Sequence, residues 1–256
     1  MKCDFSLAHY KEILETALAA GYSFLSYDDD LEEHRGKRIC ILRHDIDYTP
    51  ERAVFFGEIE ADLGIRSTYF FQICAGPYNI RERRNHQVIR RLNDWGHHLS
   101  LHLDLGWNPD SSWAEVVDQV KKEKQIFQLM TGVTPGETVS VHNPHRYADR
   151  VMNQVVEGMP HTYEPKYFSE IKYFSDSQGW YEGCMCAIFR EKKYPHIQFL
   201  THPYIWPKED KGGFIANMAE LIKDRSVELE SYLVKYHPVC KKEEKTLRSL
   251  LQGSAR

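Results

Sequence analysis

Two aspartates and three histidines of this sequence each end an apolar run, and together they could form one catalytic site. Asp45 and Asp47 lie two residues apart in the stretch RHDID, at the end of an apolar run typical of a buried strand. His102, His142 and His202 also end short apolar runs. Imidazole and carboxylate groups together suit a divalent transition metal such as zinc, and three protein ligands leave one position open for water.

Metal-assisted hydrolysis of an amide or ester is the reaction class that such a set supports. A bound metal lowers the pKa of water to about 7 and polarises a carbonyl group. A carboxylate that does not bind the metal can accept a proton from that water, and a histidine across the site can donate one to the leaving group. Each residue alone is more often a cap or a loop hydrogen-bonding group, so the interpretation depends on the joint pattern.

The elements that must position these residues alternate between helix and strand. Apolar residues at helical spacing indicate helices over 6–20, 50–63, 82–95, 112–130 and 213–235. Strands are indicated over YSFLSY, 38–42, 67–74, 97–105, ETVSVHNP and HIQFLTHP, with less regular short runs near KYFSDS and CAIFRE. Repeated βα units predict a parallel sheet, and no glycine-rich nucleotide-binding turn is present, so a barrel is favoured over a nucleotide-binding sheet.

Strand alternation brings the candidate residues to one side. In HHLSLHLDL the leucines fall on one face, and the polar residues, His102 among them, fall on the other. The same rule places Asp45 and Asp47 on a common face while the strand stays extended. The C-terminal ends of barrel strands converge on one rim, so we expect one pocket to contain Asp45, Asp47, His102, His142 and His202.

Length and charge limit the class of protein. The chain has 256 residues, 42% of them apolar, which is enough for one α/β domain, and we predict a single domain over 1–256. A net charge of −4 gives no electrostatic footprint for nucleic acid or an anionic membrane. The N-terminus lacks the apolar core of a signal peptide and no window is long enough for a membrane span, so a cytoplasmic location is expected.

The six cysteines are scattered along the chain, at positions 3, 40, 74, 184, 186 and 240. This distribution suits reduced packing residues better than a disulfide framework. Cys184 and Cys186 could act as a redox or metal-binding pair, but no second pair lies near them in the sequence, so packing is favoured.

Five motifs, in order, resemble those of the polysaccharide deacetylase family, also called the NodB-homology or carbohydrate esterase family 4 group. They are RHDID, GHHLSLHLD, VHNP, FSDSQGW and LTHPYIW, and the resemblance spans about residues 39–206. It is strongest to the intracellular HDVD-type branch. The resemblance implies a single-domain distorted (β/α) barrel, usually of seven strands, that removes acetyl groups from N-acetylated sugars with a divalent metal, typically zinc. C-terminal helices over 213–250 follow this motif core.

The resemblance also implies roles for individual residues. Asp45 resembles the general base of the family, and Asp47 resembles its metal ligand. His102 matches the first metal histidine, and His202 matches the histidine that acts as general acid.

Further residues are placed at the pocket wall by the same comparison of motifs. Asp176 and Trp180 match the segment that shapes the pocket and orients the general acid. Asn143 stands where the family has an arginine that steadies the base, and we expect it to contact substrate. Tyr204 and Trp206, like Trp180, lie beside motif ends, where an aromatic ring either stacks on a sugar or caps the core.

The third metal ligand departs from the family pattern. The usual second metal histidine would fall at position 106, which is Gly106 in this chain. We expect His142 to be the third ligand, with Asp104 as the alternative, because both lie on polar strand faces.

Three functions remain open at this point. The first is a metal-dependent hydrolase that deacetylates an N-acetylated sugar or a sugar precursor in surface-polysaccharide assembly. Its substrate would be a small saccharide or a nucleotide- or lipid-linked sugar. The second is hydrolysis of another small amide on the same barrel, and the third is a catalytically silent relative that binds a saccharide or a protein. Bound metal would separate the two enzymes from the silent relative.

Overall fold

The structure is a computed structural model that describes residues 3–34, 36–107, 110–177, 179 and 182–253. It divides into two compact units, Met1–Asp210 and Lys211–Arg256. The first unit contains a seven-stranded sheet. Its strands are β1 (Tyr22–Leu25), β2 (Arg38–Ile46), β3 (Thr68–Phe71), β4 (His98–Leu103), β5 (Ser140–Val141), β6 (Lys172–Ser175) and β7 (His196–Thr201).

All pairings in this sheet are parallel, and β2 is its central strand. The order is β5-β4-β3-β2-β7-β6, with β1 paired to the first half of β2. Within the described parts of the chain, no ladder joins β5 to β6, so the sheet is a half-barrel. Eight of the nine residues of β2 are buried, as expected for a strand covered on both faces. The predicted distorted (β/α) barrel of seven parallel strands is confirmed.

Helices connect and cover these strands. The first unit contains α1 (Leu7–Ala19), α2 (Pro50–Asp62), α3 (Arg83–Asp94), α4 (Trp113–Thr131), α5 (Ala148–Val151), α6 (Pro165–Phe168) and α7 (Met185–Glu191). The second unit contains α8 (Phe214–Tyr236), α9 (Pro238–Lys242) and α10 (Glu244–Gly253). None of the described helices combines the length and the apolar composition needed to cross a lipid bilayer.

Local sequence explains where several helices begin and end. Ser6 caps α1 by accepting a hydrogen bond from the backbone of His9. Ser112 opens α4 with a reciprocal capping box to Glu115, and Gly132 ends it in a left-handed conformation with φ of 71°.

Two segments differ from the sequence-based expectation. The strand expected over ETVSVHNP is only two residues long, because Asn143 turns to a left-handed φ of 49° and Pro144 offers no backbone donor. CAIFRE is part of helix α7 instead of an irregular run. The Cys184 side chain caps that helix, and Lys192 ends it with a φ of 54°.

Candidate active site

Strand β2 separates two polar groups by the direction of its side chains. His44 points toward the helices, where its Nε2 lies 2.9 Å from Oε1 of the buried Glu60 in α2. Asp45 points into the half-barrel, where its Oδ2 accepts a hydrogen bond of 2.9 Å from the hydroxyl of Ser140 in β5. Successive side chains of a strand point to opposite faces, so the alternation alone explains this division.

Three donor atoms meet at the C-terminal ends of β2, β4 and β5. Asp47 Oδ1 lies 3.1 Å from Nε2 of His102 and 3.1 Å from Nδ1 of His142. The two imidazole nitrogens are also 3.1 Å apart. His142 reaches this position because β5 pairs with β4 with Ser140 opposite His102, and the His142 backbone then donates to the Leu103 carbonyl.

This triangle fits a zinc ion. In a tetrahedral site with metal–ligand bonds of about 2.1 Å, neighbouring donor atoms lie roughly 3.4 Å apart. The three observed separations of 3.1 Å are close to that value. Unprotonated imidazole nitrogens and a carboxylate oxygen are all acceptors, so their convergence requires a shared cation, either protons or a metal. The set of two histidines and one carboxylate is one that catalytic zinc sites use.

The protonation of Asp47 agrees with a ligand role. Burial acts to raise the pKa of this carboxyl group, but hydrogen bonds from His102 and His142 and the charges of His102 and His202 bring the pKa well below its usual range. The group is therefore an anion at neutral pH. The same carboxylate raises the pKa of His142 against the opposing effect of burial.

Asp104, which was the alternative candidate for the third ligand, makes a local hydrogen bond instead. Its Oδ1 accepts a 2.8 Å hydrogen bond from the backbone of Gly106. A Cβ atom added at Gly106 would lie 2.9 Å from that same oxygen. The space beside residue 106 is thus occupied by Asp104, and the second histidine of the cluster comes from the neighbouring strand.

One oxygen of Asp45 is held and the other is free. Oδ2 is bonded to Ser140 and lies 3.5 Å from Nη2 of Arg43 and 3.8 Å from Nδ1 of His102. Oδ1 is buried and has no hydrogen-bond partner among the described residues. Because Asp45 lines the cavity beside the triangle, this free oxygen can accept a proton there.

The cation beside Asp45 is Arg43, which the sequence analysis missed. Its guanidinium is fully buried, lies over the ring of Tyr163 at 4.8 Å and donates a 2.7 Å hydrogen bond to the hydroxyl of that residue. Asn143, expected near the base, lies at the cavity wall. The sequence did contain a signal for Arg43, because residues two apart in a strand share a face and Arg43 is two residues before Asp45.

His202 is oriented by Asp176, as the motif comparison implies. The Nδ1 of His202 lies 2.6 Å from Asp176 Oδ1, and the backbone N–H of His202 donates to Oδ2. Burial alone would lower the pKa of this imidazole, but the charge and hydrogen bond of Asp176 raise it to about 9. Nε2 of this cationic ring faces the cluster, 3.9 Å from Asp47 Oδ2.

The expected aromatic wall is only partly present. Tyr204 lines the cavity and packs edge-on against His202, with ring centroids 5.7 Å apart. Trp206 does not fit the expected role in substrate binding, because it is 1% exposed and its indole N–H donates to Asp176 at 2.7 Å. It supports the pair of Asp176 and His202 from behind. Trp180 lies outside the described residues.

Two adjoining cavities open onto the cluster. One, of about 290 Å³, is bordered by Asp45, His102 and His202. The other, of about 580 Å³, shares Asp47, His142 and Asn143 with the first. Such volumes suit a small molecule.

Three solved structures illustrate what this chain is similar to. A chitin deacetylase from the fungal pathogen Colletotrichum lindemuthianum is 15% identical, with 74% of this chain and 84% of that chain covered, at a TM-score of 0.39. A family 4 carbohydrate esterase from Bacillus anthracis is 14% identical, with 84% and 85% covered, at 0.41. A CE4 family pseudoenzyme from Bacillus anthracis is 13% identical, with 78% and 63% covered, at 0.39.

No protein-family model and no curated protein sequence matches the chain. The second of these structures is described as a family 4 carbohydrate esterase and the third as a CE4 family pseudoenzyme, and this is the family that the five sequence motifs resemble. The intracellular branch stays a prediction. At identities of 13 to 15% the chemistry of the site has to follow from its own geometry.

Proposed function

We propose that this protein is a metal-dependent hydrolase that removes the acetyl group from an N-acetylated sugar. The observation that carries the proposal is the triangle of Asp47, His102 and His142 with donor atoms 3.1 Å apart. It is flanked by a buried carboxylate with one free oxygen, Asp45, and by a cationic imidazole, His202. These are a metal site, a base and an acid, which together are the parts that amide hydrolysis needs.

The reaction divides between these side chains. A divalent metal, most simply zinc, held by Asp47, His102 and His142 would polarise the acetyl carbonyl and acidify the attacking water. Asp45 Oδ1 accepts the proton of that water as its oxygen bonds to the carbonyl carbon. The carbon–nitrogen bond then breaks, and His202 Nε2 donates its proton to the departing nitrogen. The products are acetate and a free amino sugar.

Supporting residues hold the acid and the base in place. Ser140 and Arg43 bind Oδ2 of Asp45, so Oδ1 is the oxygen left to accept a proton. Asp176 holds His202 with its Nδ1 proton engaged, which leaves Nε2 as the atom that faces the cavity. The side chains that hold Asp45 and His202 are buried, so bulk water does not compete for these hydrogen bonds.

The substrate is a small saccharide or a nucleotide- or lipid-linked sugar. Exposed polar wall residues such as Asn143 and an aromatic ring such as Tyr204 border the cavity, and this mixture suits the hydroxyl groups and apolar faces of a sugar. A cytoplasmic location, expected from the sequence, would match a precursor of a surface polysaccharide.

The test is acetate release from a panel of substrates by zinc-loaded protein. The panel contains free, oligomeric and nucleotide-linked N-acetylated sugars, with simple N-acetyl amines as the second group. We expect release from at least one sugar, loss of release in Asp45→Asn, and unchanged release in Asp118→Asn, an exposed aspartate of α4 paired with Lys122.

Other outcomes assign one of the remaining functions. Release only from the simple amides would identify a different amidohydrolase on the same barrel. Saccharide binding without bound metal and without turnover would identify a catalytically silent binding protein.

A further inference from the structure

A second group of metal-binding side chains lies where the N-terminal segment meets helix α7. Cys3, His9 and Cys184 each offer a donor atom within 4.8 Å of the other two. The Nε2 atom of His9 lies 3.2 Å from the Sγ of Cys184 and 3.5 Å from the Sγ of Cys186. About 175 residues of sequence separate the two halves of this group, and all four side chains belong to the first unit.

His9 is held in the form that a metal ligand requires. The ring is 2% exposed, and its Nδ1 lies 2.5 Å from the backbone carbonyl of Asp4. A carbonyl only accepts hydrogen bonds, so Nδ1 carries a proton, and Nε2 is the nitrogen that faces the two sulfurs. Metal-binding histidines commonly fix their free nitrogen in this way on a carbonyl or carboxylate.

The surroundings of Cys184 suit a sulfur that carries negative charge. The backbone N–H of Cys186 points at Cys184 Sγ from 3.4 Å and would stabilise a negative sulfur there. A zinc ion deprotonates coordinating thiols outright.

The distances also match zinc. With zinc–sulfur bonds of about 2.3 Å and zinc–nitrogen bonds of about 2.0 Å, a tetrahedral site holds sulfur and nitrogen roughly 3.5 Å apart. One observed separation, 3.5 Å, equals this value, and the other, 3.2 Å, is slightly shorter. Glu12 also lies near His9 and Cys186, but its carboxylate is within 3.4 Å of the guanidinium of Arg190. Cys3, His9 and Cys184 are therefore the core of the site, and Cys186, whose Sγ also lies 3.5 Å from His9 Nε2, is the side chain that can complete it by rotating toward the same point.

We propose that a zinc ion is bound here as a closed structural site by four side chains, those of Cys3, His9, Cys184 and Cys186. Three sulfurs and one imidazole are a usual set for structural zinc, and four protein ligands leave no position for water or substrate. The ion would fasten the N-terminal segment and α1 to the start of α7. It would therefore join parts of the chain that no backbone hydrogen bond of the sheet connects.

The proposed zinc site lies close to the residues that support the proposed catalytic acid. Phe5 and His9 both pack against Trp206, with ring centroids 5.1 and 6.2 Å away. Trp206 in turn donates to Asp176. Zinc bound to the N-terminal segment would thus support the back of the pair formed by Asp176 and His202.

The test counts metal ions and identifies their ligands in the intact, reduced protein. We expect two zinc ions per chain in the wild type, one in Cys184→Ser and one in His102→Ala. Cobalt loaded into His102→Ala should show a thiolate-to-cobalt charge-transfer band, and the band should be absent when Cys184→Ser is added. Cys240→Ser, which removes a thiol of the second unit, is the matched control: it should keep both ions when made in the wild type and keep the band when added to His102→Ala.

A second measurement covers the case in which Cys184→Ser does not fold. In the His102→Ala background, zinc should raise the melting temperature by about 5 °C or more, and Cys3→Ser should remove most of that rise. Equal zinc content in His102→Ala with and without Cys3→Ser would overturn the proposal, as would a cobalt spectrum without sulfur ligation. A disulfide between Cys3 and Cys184 in protein that binds no zinc after reduction would also overturn it. None of these readouts depends on deacetylase activity.

Discussion

Replacing Arg43 with methionine probes the buried pair that holds the proposed base. Methionine retains much of the apolar stem and removes the charge, which leaves Asp45 buried at 2% exposure without its cation. Two unit charges 3.5 Å apart interact by about 5 kcal/mol at an effective dielectric constant of about 20. Removal of one partner from a buried pair costs about 3–5 kcal/mol. We therefore expect Arg43→Met to lower the free energy of unfolding by about 3–5 kcal/mol.

A double-mutant cycle with Asp45→Asn separates the effect of the lost Arg43 charge from the effect of lost packing. The double variant Arg43→Met with Asp45→Asn has no uncompensated charge, so it should be more stable than the sum of the two single changes by about 2 kcal/mol or more. Tyr163→Phe is the matched control. It removes the hydroxyl that Arg43 donates to but keeps both charges, and it should cost about 1–2 kcal/mol.

The assay is urea denaturation of the wild type, the two single variants, the double variant and Tyr163→Phe, monitored by circular dichroism with a chelator present so that metal binding does not contribute. The comparison uses the midpoints with a common slope. If the two single changes add within about 0.5 kcal/mol, the pair does not hold Asp45 and the assignment of Arg43 is wrong.

Three further outcomes are expected at the proposed catalytic centre. Asp45→Asn should lower turnover by a factor of about 10² to 10⁴ with metal content unchanged, and loss of metal instead would show that Asp45 is a ligand. His102→Ala and Asp47→Asn should each remove the metal of this site, measured as zinc per chain, and full retention would refute the ligand set. Asp176 raises the pKa of His202 to about 9, and a general acid works only when protonated, so activity should fall as pH rises through that value. Asp176→Asn removes the charge that raises this pKa, so the alkaline limb of the rate profile should move to lower pH; an unmoved limb in a folded variant would exclude His202 as the acid.

The sequence alone determined the class of fold and the side of the sheet on which the chemistry lies. Periodicity of two in β2 and β4 placed Asp45 and His102 on inner faces, and the βα alternation made the strands parallel, so their ends had to share a rim. For the third metal ligand, the sequence could only rank His142 ahead of Asp104. The choice depends on where β5 pairs with β4, and sequence does not give the register of strands joined through a long helix.

Tertiary structure decided which neighbours each side chain has. Trp206 was predicted at the substrate wall, but its indole lies behind Asp176, because the turn after β7 directs the ring toward α1 and α2. Arg43 was visible in the sequence as part of RHDID, yet its role depends on Tyr163, which is 120 residues away in the chain.

The cysteine cluster shows the same limit most clearly. Cys184 and Cys186 had no partner pair within their own segment, so packing was the favoured interpretation of that segment. The chain brings Cys3 and His9 to them from the other end of the unit, because α1 packs beside α7. Local patterns fix the faces of helices and strands, since these depend on residues two to four apart. The partners of a polar side chain depend on packing between distant segments, and only the folded chain specifies them.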